Sequence, residues 1–118
     1  MAKTFKDLIV WKEAKLLVHS IYRQTSGFPK EETYGLISQM RRAALSVPSN
    51  IAEGWGSHST DKQFLQYLNN ASGSLAELES HIAIAADEGF LASAHKNQLE
   101  DQVKRISYLI NRFRDRLN

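Results

Sequence analysis

Lys12, Lys15 and Arg23, with His19 among them, recur at spacings that set them along one side of a helix. Lys104, Arg105, Arg112 and Arg116 form a second such series, and Arg41 and Arg42 stand side by side between the two. Rows of cations do one chemistry well. They hold phosphate groups, as charges and, for arginine, as paired hydrogen-bond donors. Between Lys104 and Asn118 five basic residues face a single acid, Asp115, so this end is locally cationic. The whole chain is not: 15 basic and 13 acidic residues leave a net charge of +2, with a pI of about 9.0. A total so small does not by itself announce nucleic-acid binding. The same cations have plainer uses, as solvated helix faces or at the negative end of a helix dipole. For Arg41 and Arg42 the plainer use is a structural ion pair, with Glu53 on the same helical side or with Glu77 or Glu79 on a neighbouring helix.

Other chemistries find little to work with. There is no cysteine, which excludes disulfides, thiolate metal sites and cysteine nucleophiles. The four histidines, His19, His58, His81 and His95, form no Glu-x-x-His pair of the kind that builds di-iron bundles. Glu77 and His81, one helical turn apart, supply two potential ligands where a usable site needs more, and read as a solvent-facing pair. No nucleophile elbow, P-loop or zinc-protease motif occurs. Gly54-Trp55-Gly56 lacks the third glycine of a dinucleotide fingerprint and reads as a helix-ending turn. Asn70-Ala71-Ser72 formally matches a glycosylation acceptor but falls within a helical pattern. The expectation is a protein that is not an enzyme and needs no cofactor or metal.

The elements that position these residues are helical throughout. Val10, Trp11, Ala14, Leu17, Val18, Ile21 and Tyr22 trace one face of a helix from about Phe5 to Ser26, ended by Gly27 and Pro29. A second helix starts near Glu31 and carries Leu36, Ile37, Met40, Ala43, Ala44, Val47 and Ile51. Pro48 lies inside it, frees the carbonyl of Ala44 and predicts a kink, with Asn50 placed to satisfy a freed backbone group. Thr60 and Gln63 match a capping box ahead of a third helix, Phe64 through Ala85, that ends around Gly89. Within it Ala71, Ser72, Gly73 and Ser74 are small enough to admit a close neighbour. Leu99, Val103, Ile106, Ile110, Phe113 and Leu117 give the fourth helix a heptad seam, with Ser93 as N-cap and Arg112, Arg114 and Arg116 at its C-terminal end. No strand-like alternation occurs. The expected fold is all-α: one domain over residues 1–118, an antiparallel up-and-down four-helix bundle kinked at Pro48.

The N-terminus has no apolar core of signal-peptide length, and no apolar run approaches the ~20 residues of a membrane span. A soluble, cytoplasmic protein with no membrane partner is therefore expected.

The stretch QMRRAALSVPSNIAEG, residues 39 to 54, carries a family resemblance. It resembles bacterial four-helix-bundle proteins encoded in intervening sequences of large-subunit ribosomal RNA genes, a family that includes the accessory protein of diversity-generating retroelements. VWKEAKLLVHSIY (10 to 22), FPKEETYGL (28 to 36) and GSLAELES (73 to 80) are similar to the family's blocks and occur in the same order, so the resemblance covers nearly the whole chain. It implies a homopentameric ring with a largely unassigned role, nucleic-acid binding in the retroelement branch, and no catalytic residues. Many relatives place a basic residue where this chain has Ser57, a departure that weakens any basic patch at that turn.

Assembly is also expected from the residues. Phe5, Ile9 and Leu16 lie opposite the core stripe of helix 1 with Leu8 beside them, and Tyr34 and Leu45 lie off the core stripe of helix 2. A bundle helix turns one face inward, so a second apolar stripe points to a subunit interface. Two functions remain. The first is an RNA- or DNA-binding accessory protein whose ring multiplies a modest charge, five copies of +2 giving +10. The second is a ring-shaped scaffold that docks a protein, such as a reverse transcriptase, through exposed residues such as Trp55 and Tyr108.

Overall fold

The chain starts on a small polar lock. Thr4 caps a single 3-10 turn, Phe5–Asp7, by accepting from the Lys6 N–H, while the Asp7 carboxylate accepts from the N–H groups of Lys3 (2.9 Å) and Thr4 (3.2 Å). Those two donors hold the Asp7 carboxyl below its ordinary range. Leu8 is then extended (φ −73°, ψ 128°), and α1 begins only at Ile9, running Ile9–Thr25. This break shifts the helical phase. Phe5 packs edge-on against Trp11, with ring centroids 5.1 Å apart, and Leu8 is buried in the core. Neither belongs to an outward stripe, which corrects the expectation for these two residues.

A computed structural model describes residues 3–57 and 60–117. His58 lies outside the described residues. Besides α1, the long helices are α2 (Ser38–Ser57), α3 (Asp61–Asp87) and α4 (Ser93–Leu117), and no strand occurs among the described residues. Each helix packs on its chain neighbour and α4 closes back on α1, giving an all-α, up-and-down bundle of 43 × 24 × 20 Å. No helix is long and apolar enough to cross a membrane among the described residues.

Local chemistry sets the ends. Thr25, buried at the end of α1, bonds through Oγ1 to the Ile21 carbonyl at 2.7 Å. Phe28 then tucks under the bundle against Phe90, ring centroids 5.5 Å apart. The expected start of helix 2 near Glu31 is instead a 3-10 turn, Lys30–Glu32, and a π-turn, Thr33–Ile37, with Gly35 at φ −114°, ψ −109°. Regular α-helix begins at Ser38 and continues through Pro48, which is buried. It also continues through Gly54-Trp55-Gly56, so these glycines do not end the helix as expected. Thr60 caps α3, accepting from the Gln63 N–H at 3.2 Å. At the far end Gly89 takes φ +81°, the Phe90 N–H reaches the Ala85 carbonyl and the Gly89 N–H that of Ala86. This is a Schellman closure, and it needs a residue without a Cβ penalty. Ser93 is the first residue of α4 and not its cap; the Lys96 N–H bonds to the Ala92 carbonyl.

The core runs the length of the bundle, with Leu17, Ile21, Met40, Ile51, Phe64, Leu68, Leu75, Leu78, Ile82, Leu99, Ile106 and Ile110 almost wholly buried. Close helix approach occurs at Gly54, where an added Cβ would meet Tyr67 Cβ at 2.7 Å and Phe64 Cδ1 at 3.0 Å. At Gly73, where close approach was expected, a Cβ would meet nothing within 4 Å.

Candidate nucleic-acid interface

The expected cations do not form one surface. Lys12, Lys15 and Arg23 are exposed on α1, with Lys15 Nζ 5.7 Å from the centroid of the Trp11 ring. Arg41 on α2 is committed to the fold. Its Nε donates to Thr25 Oγ1 at 3.0 Å, its terminal nitrogen reaches the Tyr22 carbonyl and Ser26 Oγ, and its guanidinium lies 4.5 Å from the Tyr22 ring centroid. Those partners are neutral, so Arg41 is held by a hydroxyl clamp and a cation–π stack and is not a member of the ion pair expected for at least one of Arg41 and Arg42. Arg42 is exposed and borders a polar hollow between α2 and α3 with Gln39, Ser46, Ser74 and Glu77.

On α4 the stripe divides. Arg105 is ion-paired to Glu13 on α1 and so ties the two helices together. Arg114 donates to Ser72 on α3. Lys104 and Arg116 are exposed, and Arg112 donates to the Tyr108 hydroxyl at 3.1 Å with its guanidinium 5.8 Å from the ring centroid. That hydroxyl, and its partial negative charge, hold Arg112 still more firmly protonated than usual.

Arg112 and Arg116 gain meaning from what flanks them. On one side they share a shallow hollow with Tyr108 and Asp115. On the other they rim a groove of about 280 Å³ between the start of α1 and the end of α4, floored by Leu8, Val10, Leu109 and Phe113 and bordered by Asp7 and Ile9. Phe113 is held from beneath by Phe64, with ring centroids 5.0 Å apart. Ile9 is 61% exposed and Tyr108 56%, so two guanidinium groups stand between two patches of accessible apolar surface. The Tyr108–Arg112 spacing of one helical turn was open to reading in the sequence. The groove was not, because it joins residues a hundred positions apart.

Elsewhere, Leu16 (54%), Tyr34 (97%) and Leu45 (43%) are exposed, as Ile9 is. Trp55, expected to be free for docking, is instead half-buried against Phe64 at 6.0 Å. Among the described residues no group of three or more His, Asp or Glu is disposed to hold a metal ion.

The model of the 23S rRNA-intervening sequence protein family matches residues 6–112. No curated protein matches the chain.

Proposed function

The chain belongs to the 23S rRNA-intervening sequence protein family, and from that premise we propose that it is a non-enzymatic, RNA-related accessory protein that binds nucleic acid through the α1/α4 side of the bundle. The observation that carries this reading is the state of the cations there. Arg41, Arg105 and Arg114 are used within the bundle, whereas Lys104, Arg112 and Arg116 remain exposed along the outer half of α4. Arg112, already held by the Tyr108 hydroxyl, loses little further freedom on meeting a phosphate.

Self-association supports the reading further. Leu16 on α1, Tyr34 in the turn before α2 and Leu45 on α2 leave apolar surface that a second copy of the chain would cover, and repeating the α4 cations in one assembly raises avidity for a polyanion. A homopentamer is the form the family resemblance implies. Light scattering on the eluting protein should give a mass well above 13.4 kDa, and a stable monomer would overturn this part.

The test of binding is fluorescence anisotropy with labelled RNA and DNA oligonucleotides across a range of salt. Affinity should fall as salt rises, and the joint Arg112→Gln and Arg116→Gln variant should bind more weakly with a flatter salt slope. Unchanged affinity in a variant that still folds would remove these residues. Salt-independent docking of a protein and no oligonucleotide would favour a scaffold role instead.

A further inference from the structure

Charge alone would not require the surface that surrounds Arg112 and Arg116. A nucleic-acid duplex presents phosphates outward and keeps its bases stacked inside, so a row of cations suffices for it. Here each guanidinium is flanked by accessible apolar surface: Tyr108 on one side and Ile9 over the Leu109–Phe113 floor on the other. Each flank also carries an acid, Asp115 beside Tyr108 and Asp7 beside Ile9. Two positive and two negative groups give a site of nearly balanced charge, poorly suited to the dense charge of a duplex. An unpaired nucleotide fits it better, since it brings one phosphate and a flat base with two apolar faces.

We propose that the Tyr108–Arg112–Arg116 ridge and the adjoining Ile9–Leu109–Phe113 groove form a binding site for single-stranded nucleic acid, with phosphates on the two arginines and unstacked bases against Tyr108 and the groove floor. This rests on the nucleic-acid reading above and narrows it to unpaired strands. The site is largely built before binding. Phe64 supports Phe113, and the hydrogen bond to the Tyr108 hydroxyl holds Arg112 between the two hollows. Asp7, at the border of the groove, is fixed by accepting through one carboxylate oxygen from the backbone N–H groups of Lys3 and Thr4.

The experiment compares three labelled probes of equal length in the assembled protein: a single-stranded RNA, its duplex, and a single strand in which several nucleotides lack the base. The intact single strand should bind about tenfold or more tightly than the other two, the effect of one or two stacked bases. Its salt slope should correspond to about two phosphates per subunit, near −1.4 in log–log terms. Tyr108→Ala should weaken the single strand to the level of the base-free probe, while Tyr108→Phe should retain the preference through its ring. Tyr108 is exposed, and a thermal melt of each variant confirms that the fold survives.

Equal binding of all three probes would overturn the single-strand assignment and leave a charge-driven nucleic-acid protein. No binding of any probe would overturn the broader reading as well. Single-strand preference untouched by Tyr108→Ala and by the double arginine variant would show that bases are held elsewhere. Loss of assembly on Ile9→Ser with unchanged single-strand binding would give the groove to a second copy of the chain, and would also overturn the assignment.

Discussion

The two long seams of the bundle use polar residues in opposite ways. Between α2 and α3 they are spent on each other. Ser46 and Ser74 share a hydrogen bond of 2.7 Å, and Asn50 donates to the Ser46 carbonyl at 2.8 Å and to Ser46 Oγ at 3.1 Å. Asn50 thus turns to Ser46 and not to the Ala44 carbonyl that Pro48 leaves without its usual donor. Gly54 completes the seam by letting the backbone of α2 lie against Tyr67. Between α1 and α4 one ion pair, Arg105 with Glu13, joins the helices, and the ends diverge around a groove whose rim is charged. Ser46, Ser74 and Asn50, bonded to one another, hold their helices together, while Arg42 stays exposed beside them. Arg112, Arg116 and Tyr108 at the other seam keep exposed surface that a ligand can reach.

The strongest way to break this comparison is to spoil the tight seam. Gly54→Ala should destabilise the protein by about 1–3 kcal/mol, the usual range for overpacking. The new Cβ would meet Tyr67 at its own Cβ, an atom that cannot swing aside, so the helices must part. Chemical denaturation measures it, and a neutral or stabilising result would mean the seam is looser than described. No comparable loss is expected from changing Arg112 or Arg116 to glutamine, because both are solvent-exposed.

Ser46→Ala tests the polar part of the same seam and should cost about 1 kcal/mol, since it strips a partner from Ser74 and from Asn50 together. Adding Ser74→Ala should cost less than its effect in the wild-type background, because the bond it would break is already gone. Strict additivity of the two would show that the serines are not coupled.

The contrast between the seams was only half legible in the sequence. Features set by neighbours along the chain were readable: the Thr60 cap, the Gly89 stop, and the heptad run from Leu99 to Ile110 that is buried in the fold. Leu8 shows how little it takes to mislead. One extended residue separates Phe5 from the helical phase of α1 and turns Phe5 and Leu8 toward the core, while Ile9 and Leu16 stay outside. Features set by a second helix were not readable. Gly54 and Gly73 are equivalent as letters, and only the partner surface decides which one must be glycine. The same holds for the cations. Nothing near Arg105 in sequence marks it as a structural residue, since Glu13 lies 92 positions away. Trp55 likewise looked free until Phe64 was placed beside it.

Gly73 sharpens the comparison with the opposite sign to Gly54. It sits within α3, exposed, and an added methyl group meets nothing within 4 Å. Gly73→Ala should therefore stabilise the chain by roughly 0.5–1 kcal/mol, through helix propensity and a more restricted unfolded state. A rise in the denaturation midpoint with unchanged assembly mass is the expected result. A fall in mass would place this face of α3 against another subunit.

The smallest effect lies at the open seam, where Asp7 borders the groove and also closes the Phe5–Asp7 turn. Hydrogen bonds from the Lys3 and Thr4 N–H groups favour its charged form, so its folded pKa lies below the unfolded value of 3.8. The sign follows from linkage. The carboxylate's contribution is fully present above the unfolded pKa and is lost as pH falls through the folded one, with no change expected between pH 5 and 8. Because the group is exposed, the loss should be local: the turn frays and Phe5 leaves Trp11 while the bundle stays folded. The amide resonances of Lys3 and Thr4, followed by NMR, should titrate with a midpoint under 3.8 and lie at their acid positions already at neutral pH in Asp7→Asn. A midpoint at or above that value would mean the two hydrogen bonds do not persist in solution. The groove would then lose the feature that keeps its bordering acid turned toward the backbone.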